Sequence, residues 1–216
     1  MIGFIPAGGT NERWGAGYKE LLPISEGHWL LDNAIDCLLD AGCNRICIAS
    51  SPTKIMVHHQ HLLRLGYVKN VFFVMGGGTM WESIRNYLPH ATDRTLMMMP
   101  DTLTEIPTFR PGNVDMTFGT FATEEPERFS IMQGETILTK PQNLAKGIYK
   151  AWGIVSWSRE VSQFWAIQSG IKDYDLAFNL AMMRFPWTTL DLPYYHDIAD
   201  WKSYRRYLSE TFREDA

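Results

Sequence analysis

Apolar positions recur along this chain in two rhythms, short continuous runs and stripes of helical period, and their alternation predicts most of the elements. Ile2, Phe4 and Ile5 form a run that stops at Pro6-Ala7-Gly8-Gly9, as a buried strand does where it meets a ligand-facing turn. Leu30 to Ala41 carries Leu31, Ala34, Ile35, Leu38 and Leu39 on one face and ends at Gly42, which predicts an amphipathic helix. Arg45 to Ala49 then reads as a strand, Pro52 to Leu65 as a helix, Val71 to Met75 as a strand, about Met80 to Leu88 as a helix, and Leu96 to Met99 as a fourth strand. Strand and helix in turn imply a parallel sheet. After that the rhythm shortens. Thr117 to Ala122, Phe129 to Met132 and Thr136 to Thr139 read as short strands split by turn residues, which predicts a mixed-sheet region. Asp175 to Met183 follows as a helix, Thr188 to Leu192 as a strand, and a last helix runs through Leu208 with Asp200 as its N-cap.

Composition adds limits. At 216 residues, 45% hydrophobic and 20% charged, the chain can bury a substantial core as one domain, residues 1–216, with halves of about 1–110 and 111–216. A net charge of −4 with scattered Lys and Arg argues against nucleic acid as a partner. No apolar run approaches the roughly 18 residues of a membrane span. Met1 to Gly9 lacks a basic leader, so neither membrane nor export is expected and the cytoplasm is the expected location. Cys37, Cys43 and Cys47 read as small buried hydrophobes. His58, His59 and His61 read as a solvated helix face rather than a metal site.

Candidate chemistry gathers at two glycine turns. Gly8 and Gly9 leave backbone N–H groups open, and Arg13 and Lys19 follow within reach, a donor set that suits a polyphosphate. An ordinary strand-to-loop turn with two surface cations explains the same residues equally well. No Gly-Lys-Ser/Thr follows, as a Walker loop requires, and no third glycine opens a helix, as a dinucleotide fingerprint requires. A second turn, Met75-Gly76-Gly77-Gly78-Thr79, ends the third strand. Ligands of open parallel sheets sit beyond the carboxyl ends of strands, so the two turns point to one crevice. Asp101 arrives at the same edge, although a lone carboxylate there also suits a turn or helix cap.

Several segments together resemble the sugar-phosphate nucleotidyltransferases, of the glucose-1-phosphate thymidylyltransferase and uridylyltransferase kind. They are Ile5-Pro6-Ala7-Gly8-Gly9 with Arg13, Lys19-Glu20-Leu21-Leu22-Pro23-Ile24, Gly78-Thr79, Pro100-Asp101-Thr102, Thr139-Lys140-Pro141, Trp152-Gly153-Ile154, and Asp197-Ile198-Ala199 with Tyr204 on the following helix. The resemblance spans Ile2 to about Leu208 in the family's motif order. It implies an α/β three-layer sandwich around a mixed, mostly parallel sheet, Rossmann-like and related to the GT-A fold. It further implies that Ala7, Gly8, Gly9, Gly78 and Thr79 bind nucleotide, that Arg13 and Lys19 meet phosphates, that Asp101 and Asp197 hold Mg2+, and that Lys140 meets the sugar phosphate. The implied reaction joins a nucleoside triphosphate to a sugar 1-phosphate with loss of pyrophosphate, and a homo-oligomer is compatible with it. Asn11, Met75, Thr139 and Ala199 depart from the family's usual glycine, glutamine, glutamate and glycine. The short spacing between Arg13 and Lys19 is closer to molybdenum-cofactor guanylyltransferases, so a cytidylyl or molybdenum-cofactor type of acceptor is one alternative. A metal-dependent glycosyltransferase would expect Asp-x-Asp, and Asp101 is followed by Thr102 and Leu103. A nucleotide-sugar-binding module without activity is the non-enzyme alternative.

Overall fold

The computed structural model describes residues 1–9, 14, 18–104 and 114–211. In chain order the elements are β1 (Ile2–Ala7), a small hairpin of β2 (Pro23–Ser25) and β3 (His28–Trp29), α1 (Leu30–Asp40), β4 (Arg45–Ser50), α2 (Ile55–Leu65), β5 (Val71–Met75), α3 (Met80–Tyr87), β6 (Thr95–Met98) and β7 (Thr102–Leu103). The second half continues with β8 (Met116–Thr123), β9 (Ser130–Gln133), β10 (Thr136–Thr139), β11 (Tyr149–Trp157), α4 (Arg159–Ala166), α5 (Tyr174–Arg184), β12 (Trp187–Asp191), β13 (His196–Asp197) and α6 (Trp201–Thr211).

Nine strands make one mixed sheet. Its first half, in the order β6-β1-β4-β5, is parallel throughout, with Phe4 opposite Cys47 on one side and Met97 on the other. β11 then pairs antiparallel with β6, β8 and β9, and β12 returns parallel to β8. The expected three-layer sandwich is therefore present, with its parallel part in the first half.

Central strands buried on both faces explain the continuous apolar runs. Ile5, Ile46, Ile48, Leu96 and Met98 point to a layer formed with Leu31, Ala34, Ile35 and Leu38 of α1 and Leu62 of α2. Phe4, Cys47, Ala49, Met97, Val155 and Trp157 point the other way, to Trp81 and Ile84 of α3, Trp165 of α4 and Phe178 of α5. Gly3 lets α1 pack close on β1: a Cβ there would lie 3.0 Å from the Leu38 side chain, which would have to shift to admit it. A smaller third cluster joins Trp14, Ile24, Leu30, Leu103, Ile198 and Tyr204, fastening α6 across the first half.

Four features depart from the sequence expectations. The sequence gives α4 only a weak signal, since its stripe is Val161, Phe164 and Trp165 over eight residues; Ser158 caps it by accepting from the Val161 N–H. The two-residue strands β7 and β13 exist only as a mutual ladder. His58 is not on a solvated face: it is fully buried, sharing a hydrogen bond of 3.1 Å with Ser50, because the first turn of α2 packs under the strand ends. His61 sits 2.8 Å from Asp32, and His59 is exposed. Cys43 and Cys47 are buried as expected, and burial pushes the Cys43 thiol up to about 12, whereas Cys37 is only half-buried, with its thiol 3.3 Å from the Thr104 carbonyl.

Candidate active site

The chain winds outward from β1 through β4 to β5 and then crosses back to β6 on the other side of β1, so the carboxyl ends of β1 and β6 flank a topological switch point with a crevice above it. Gly8 and Gly9 emerge there. The second glycine turn follows β5 and packs directly on the first: a Cβ on Gly8 would lie 2.9 Å from the Gly76 Cα, and one on Gly76 would lie 2.8 Å from the Gly8 Cα. The Gly76 N–H donates to the Ser50 carbonyl at 2.8 Å, which anchors this turn to β4. Gly77 tolerates no side chain because its Cβ would overlap that of Glu82. Thr79 is the N-cap of α3: it accepts from the Glu82 N–H at 3.2 Å, while its own N–H donates to the Glu82 carboxylate at 2.9 Å. Gly8, Gly9, Gly78 and Thr79 thus wall one pocket of about 150 Å³, and Ala7 is buried beneath it.

A larger cavity of about 480 Å³ opens beside the first, and Lys19, Met80 and Met99 belong to the walls of both. Lys19, Asp101, Lys140 and Asp197 meet in it from four distant segments. The two aspartates are brought together by the β7–β13 ladder, in which Asp197 pairs with Thr102 and the Ile198 N–H donates to the Asp101 carbonyl at 2.9 Å. Each carboxylate already has a cation. Lys19 donates to Asp101 at 2.6 Å, and Arg128 donates to Asp197 at 2.8 Å and to Glu125 at 3.2 Å. Burial opposes the charge on Lys19, but the carboxylates of Asp101, Glu20 and Asp197, Asp101 foremost, together outweigh it and hold the ammonium above its usual range. Burial, then the nearby Asp101 charge, pushes Asp197 up to about 6, against the pull of Arg128.

Lys140 follows β10 in a left-handed backbone conformation, φ 41°, that non-glycine residues rarely adopt. Its N–H donates to the Phe129 carbonyl at 2.9 Å, tying it to the segment that carries Arg128. Aromatic rings close the cavity. Tyr195 stacks on Phe121 at 3.9 Å between centroids, and its hydroxyl lies 2.9 Å from that of Thr102. Gly153 sits at a bulge in β11 because a Cβ there would overlap the Tyr195 ring. Tyr174 lies within 2.8 Å of the Ser130 hydroxyl and 3.2 Å of the Thr139 hydroxyl.

Among the residues expected at the site, Arg13 and Asn11 lie outside the described residues. Met75 is half-exposed at the end of β5, and its carbonyl accepts from the Asn86 side chain at 2.9 Å. Tyr204 packs against the hairpin, donating to the Pro23 carbonyl at 2.6 Å. Arg128 is a cavity cation that no sequence motif singles out: it stands in a charged stretch with Glu124, Glu125 and Glu127. Tyr174 and Tyr195 give no local signal, since long-range packing alone turns them inward.

No family model matches the sequence, and neither does any curated protein. Solved structures do match the fold. A protein described as a glucose-1-phosphate thymidylyltransferase from Bacillus anthracis, in complex with sucrose, superposes with a TM-score of 0.81 at 17% identity, over 97% of this chain and 95% of that one. HddC from Yersinia pseudotuberculosis, complexed with GMP-PN, gives a TM-score of 0.73 at 16% identity, over 97% and 99%. The fold is thus that of sugar-phosphate nucleotidyltransferase-like proteins.

Proposed function

We propose that the protein transfers a nucleotidyl group from a nucleoside triphosphate to a sugar 1-phosphate, with Mg2+, releasing pyrophosphate. The observation that carries this reading is two carboxylates and two cations paired in one cavity that adjoins a pocket walled by glycine turns. The two similar structures hold a sugar and a nucleotide analogue, which agrees with a cleft for both kinds of substrate.

In this reading the triphosphate lies over Gly8, Gly9 and Gly78, whose backbone can approach phosphate closely. Lys19, in the wall common to both spaces, meets the α-phosphate, and Arg13 takes the leaving pyrophosphate. Lys140 and Arg128 hold the acceptor phosphate, and the rings of Tyr195, Tyr174 and Trp152 border its sugar. An oxygen of the acceptor phosphate forms a bond to the α-phosphorus as the bond to the bridging oxygen of the β-phosphate breaks. The attacking phosphate is already ionised, so no residue has to remove a proton. Positioning and charge neutralisation are the protein's whole task.

Asp101 and Asp197 would hold the Mg2+. Their chemistry fits: Mg2+ takes one or two carboxylates and completes its shell with substrate phosphates and water, and no group of three or more candidate ligands occurs among the described residues. When bound, the ion would neutralise developing charge on the transferred group. Lys19 and Arg128 keep both carboxylates balanced until then.

Transfer to a phosphorylated alcohol that is not a sugar draws on one specific feature. Thr139, where the resembling family has a glutamate for a sugar hydroxyl, is engaged with Tyr174. Pyrophosphate release and product mass, measured over a matrix of nucleoside triphosphates against sugar 1-phosphates and other phosphorylated alcohols, test both readings. Release with no pair overturns both; release only with a non-sugar acceptor overturns the first.

A further inference from the structure

The smaller pocket has Glu20 in its wall, and Glu20 belongs to an ion pair for which the proposed reaction has no chemical use. Glu20 and Lys54 are 1% and 4% exposed, and Lys54 donates to the Glu20 carboxylate at 2.9 Å and to the Ala7 carbonyl at 3.4 Å. Ala7 precedes Gly8, and Glu20 follows Lys19. One ammonium therefore joins the backbone of the glycine turn to the residue next to the site's lysine. A second tie runs in parallel, from the Tyr18 hydroxyl to the Thr53 carbonyl at 3.4 Å.

Burying two charges costs several kcal/mol per ion, and apolar residues of equal volume often hold a core as well or better. Core stability is thus a poor account of this pair. Its placement is a better one. Lys19 has a flexible four-carbon stem, and holding its ammonium 2.6 Å from Asp101 depends on where the backbone of its short turn is fixed. We infer that Lys54 and Glu20 are positioning residues that set Lys19 against Asp101 and the glycine turn. The link to the triphosphate rests on the function proposed above; the link to Lys19 does not.

The test uses the intact chain and the double variant Glu20→Gln/Lys54→Met, which removes both charges of the pair together. Two readouts are taken: the rate at which Lys19 is acylated, followed by peptide mass mapping with Asp101→Asn as the released reference, and calorimetric affinity for inorganic tripolyphosphate. The double variant should melt close to wild type while Lys19 acylation rises about tenfold, the worth of one charge-assisted hydrogen bond, and tripolyphosphate binding weakens similarly. Wild-type acylation in a folded double variant overturns the inference. If that variant does not fold, Glu20→Gln alone replaces it, keeping an acceptor for Lys54, and acylation unchanged from wild type again overturns it. Wild-type protein that ignores tripolyphosphate, with acylation responding as stated, supports the positioning role and removes the triphosphate assignment instead.

Discussion

The two halves of the cleft are built in opposite ways. On the proposed nucleotide side the wall is mostly backbone: two glycine turns, each at the end of a parallel strand and each local in sequence, pressed together so closely that Gly8 and Gly76 admit no Cβ. On the proposed acceptor side the wall is mostly side chain, with Asp101, Arg128, Lys140 and Asp197 delivered from separate elements across an antiparallel region. Backbone walls discriminate little and tolerate no added atoms. Side-chain walls can be varied one residue at a time, as at Thr139.

The largest effect should come from the carboxylates that both halves depend on. Asp101→Asn and Asp197→Asn should each lower turnover about 10²–10³-fold or more, the scale set by losing one preorganised electrostatic contact. Undiminished turnover in either variant would remove that residue from the site.

Acid should loosen the nucleotide side first. Burial holds His58 down to about 4 from an ordinary 6.5, with Glu20 raising it and Lys54 and His61 lowering it further. The folded protein keeps the ring neutral while the unfolded chain takes the proton, so this contribution is complete above pH 6.5 and is lost as pH falls toward 4. It amounts to about 3 kcal/mol. His58→Asn should therefore show a flatter fall in melting temperature between those limits, and parallel curves for the two proteins would refute the assignment.

A pair of glycine substitutions separates the halves directly. Gly77→Ala forces the cap of α3 apart and should weaken triphosphate binding, whereas Gly153→Ala displaces Tyr195 and should weaken acceptor binding. Each should cost about 1–3 kcal/mol of stability as an overpacked site. Calorimetry with each substrate in turn decides this; if both variants lose both ligands, the halves are not independent.

The smallest effect is expected at Lys140. Lys140→Met should weaken the sugar phosphate about tenfold and leave the triphosphate alone, as for the loss of one charged contact at an exposed group. Equal losses for both ligands, or none, would take Lys140 out of the acceptor site.

Much of the nucleotide side was legible beforehand. The apolar run at Ile2, Phe4 and Ile5 and the stripe from Leu31 to Leu39 have periods of a few residues, and the glycines mark where those runs end. The acceptor side was legible only through resemblance, and there unevenly: Lys140 and Asp197 stood in motifs, but Arg128 looked like one charge among several in a polar stretch. His58 is illegible in the sequence for a related reason. Its helix carries His58, His59 and His61 in one short polar stretch between apolar ends, and only the packing of that helix's first turn under β4 shows which of them is fully buried.

By itself, then, the sequence determined what short-range periodicity can encode: the parallel βα units, the two turns at the carboxyl ends of their strands, and a crevice between them. Tertiary structure alone decided which charges meet. The β7–β13 ladder joins residues almost a hundred positions apart, and two strands of two residues each carry no pattern until they pair. The same holds for Lys19 with Asp101, Arg128 with Asp197 and Lys54 with Glu20. Each is a contact across a long loop, and a Coulomb interaction depends on distance in space, on which sequence spacing sets almost no limit.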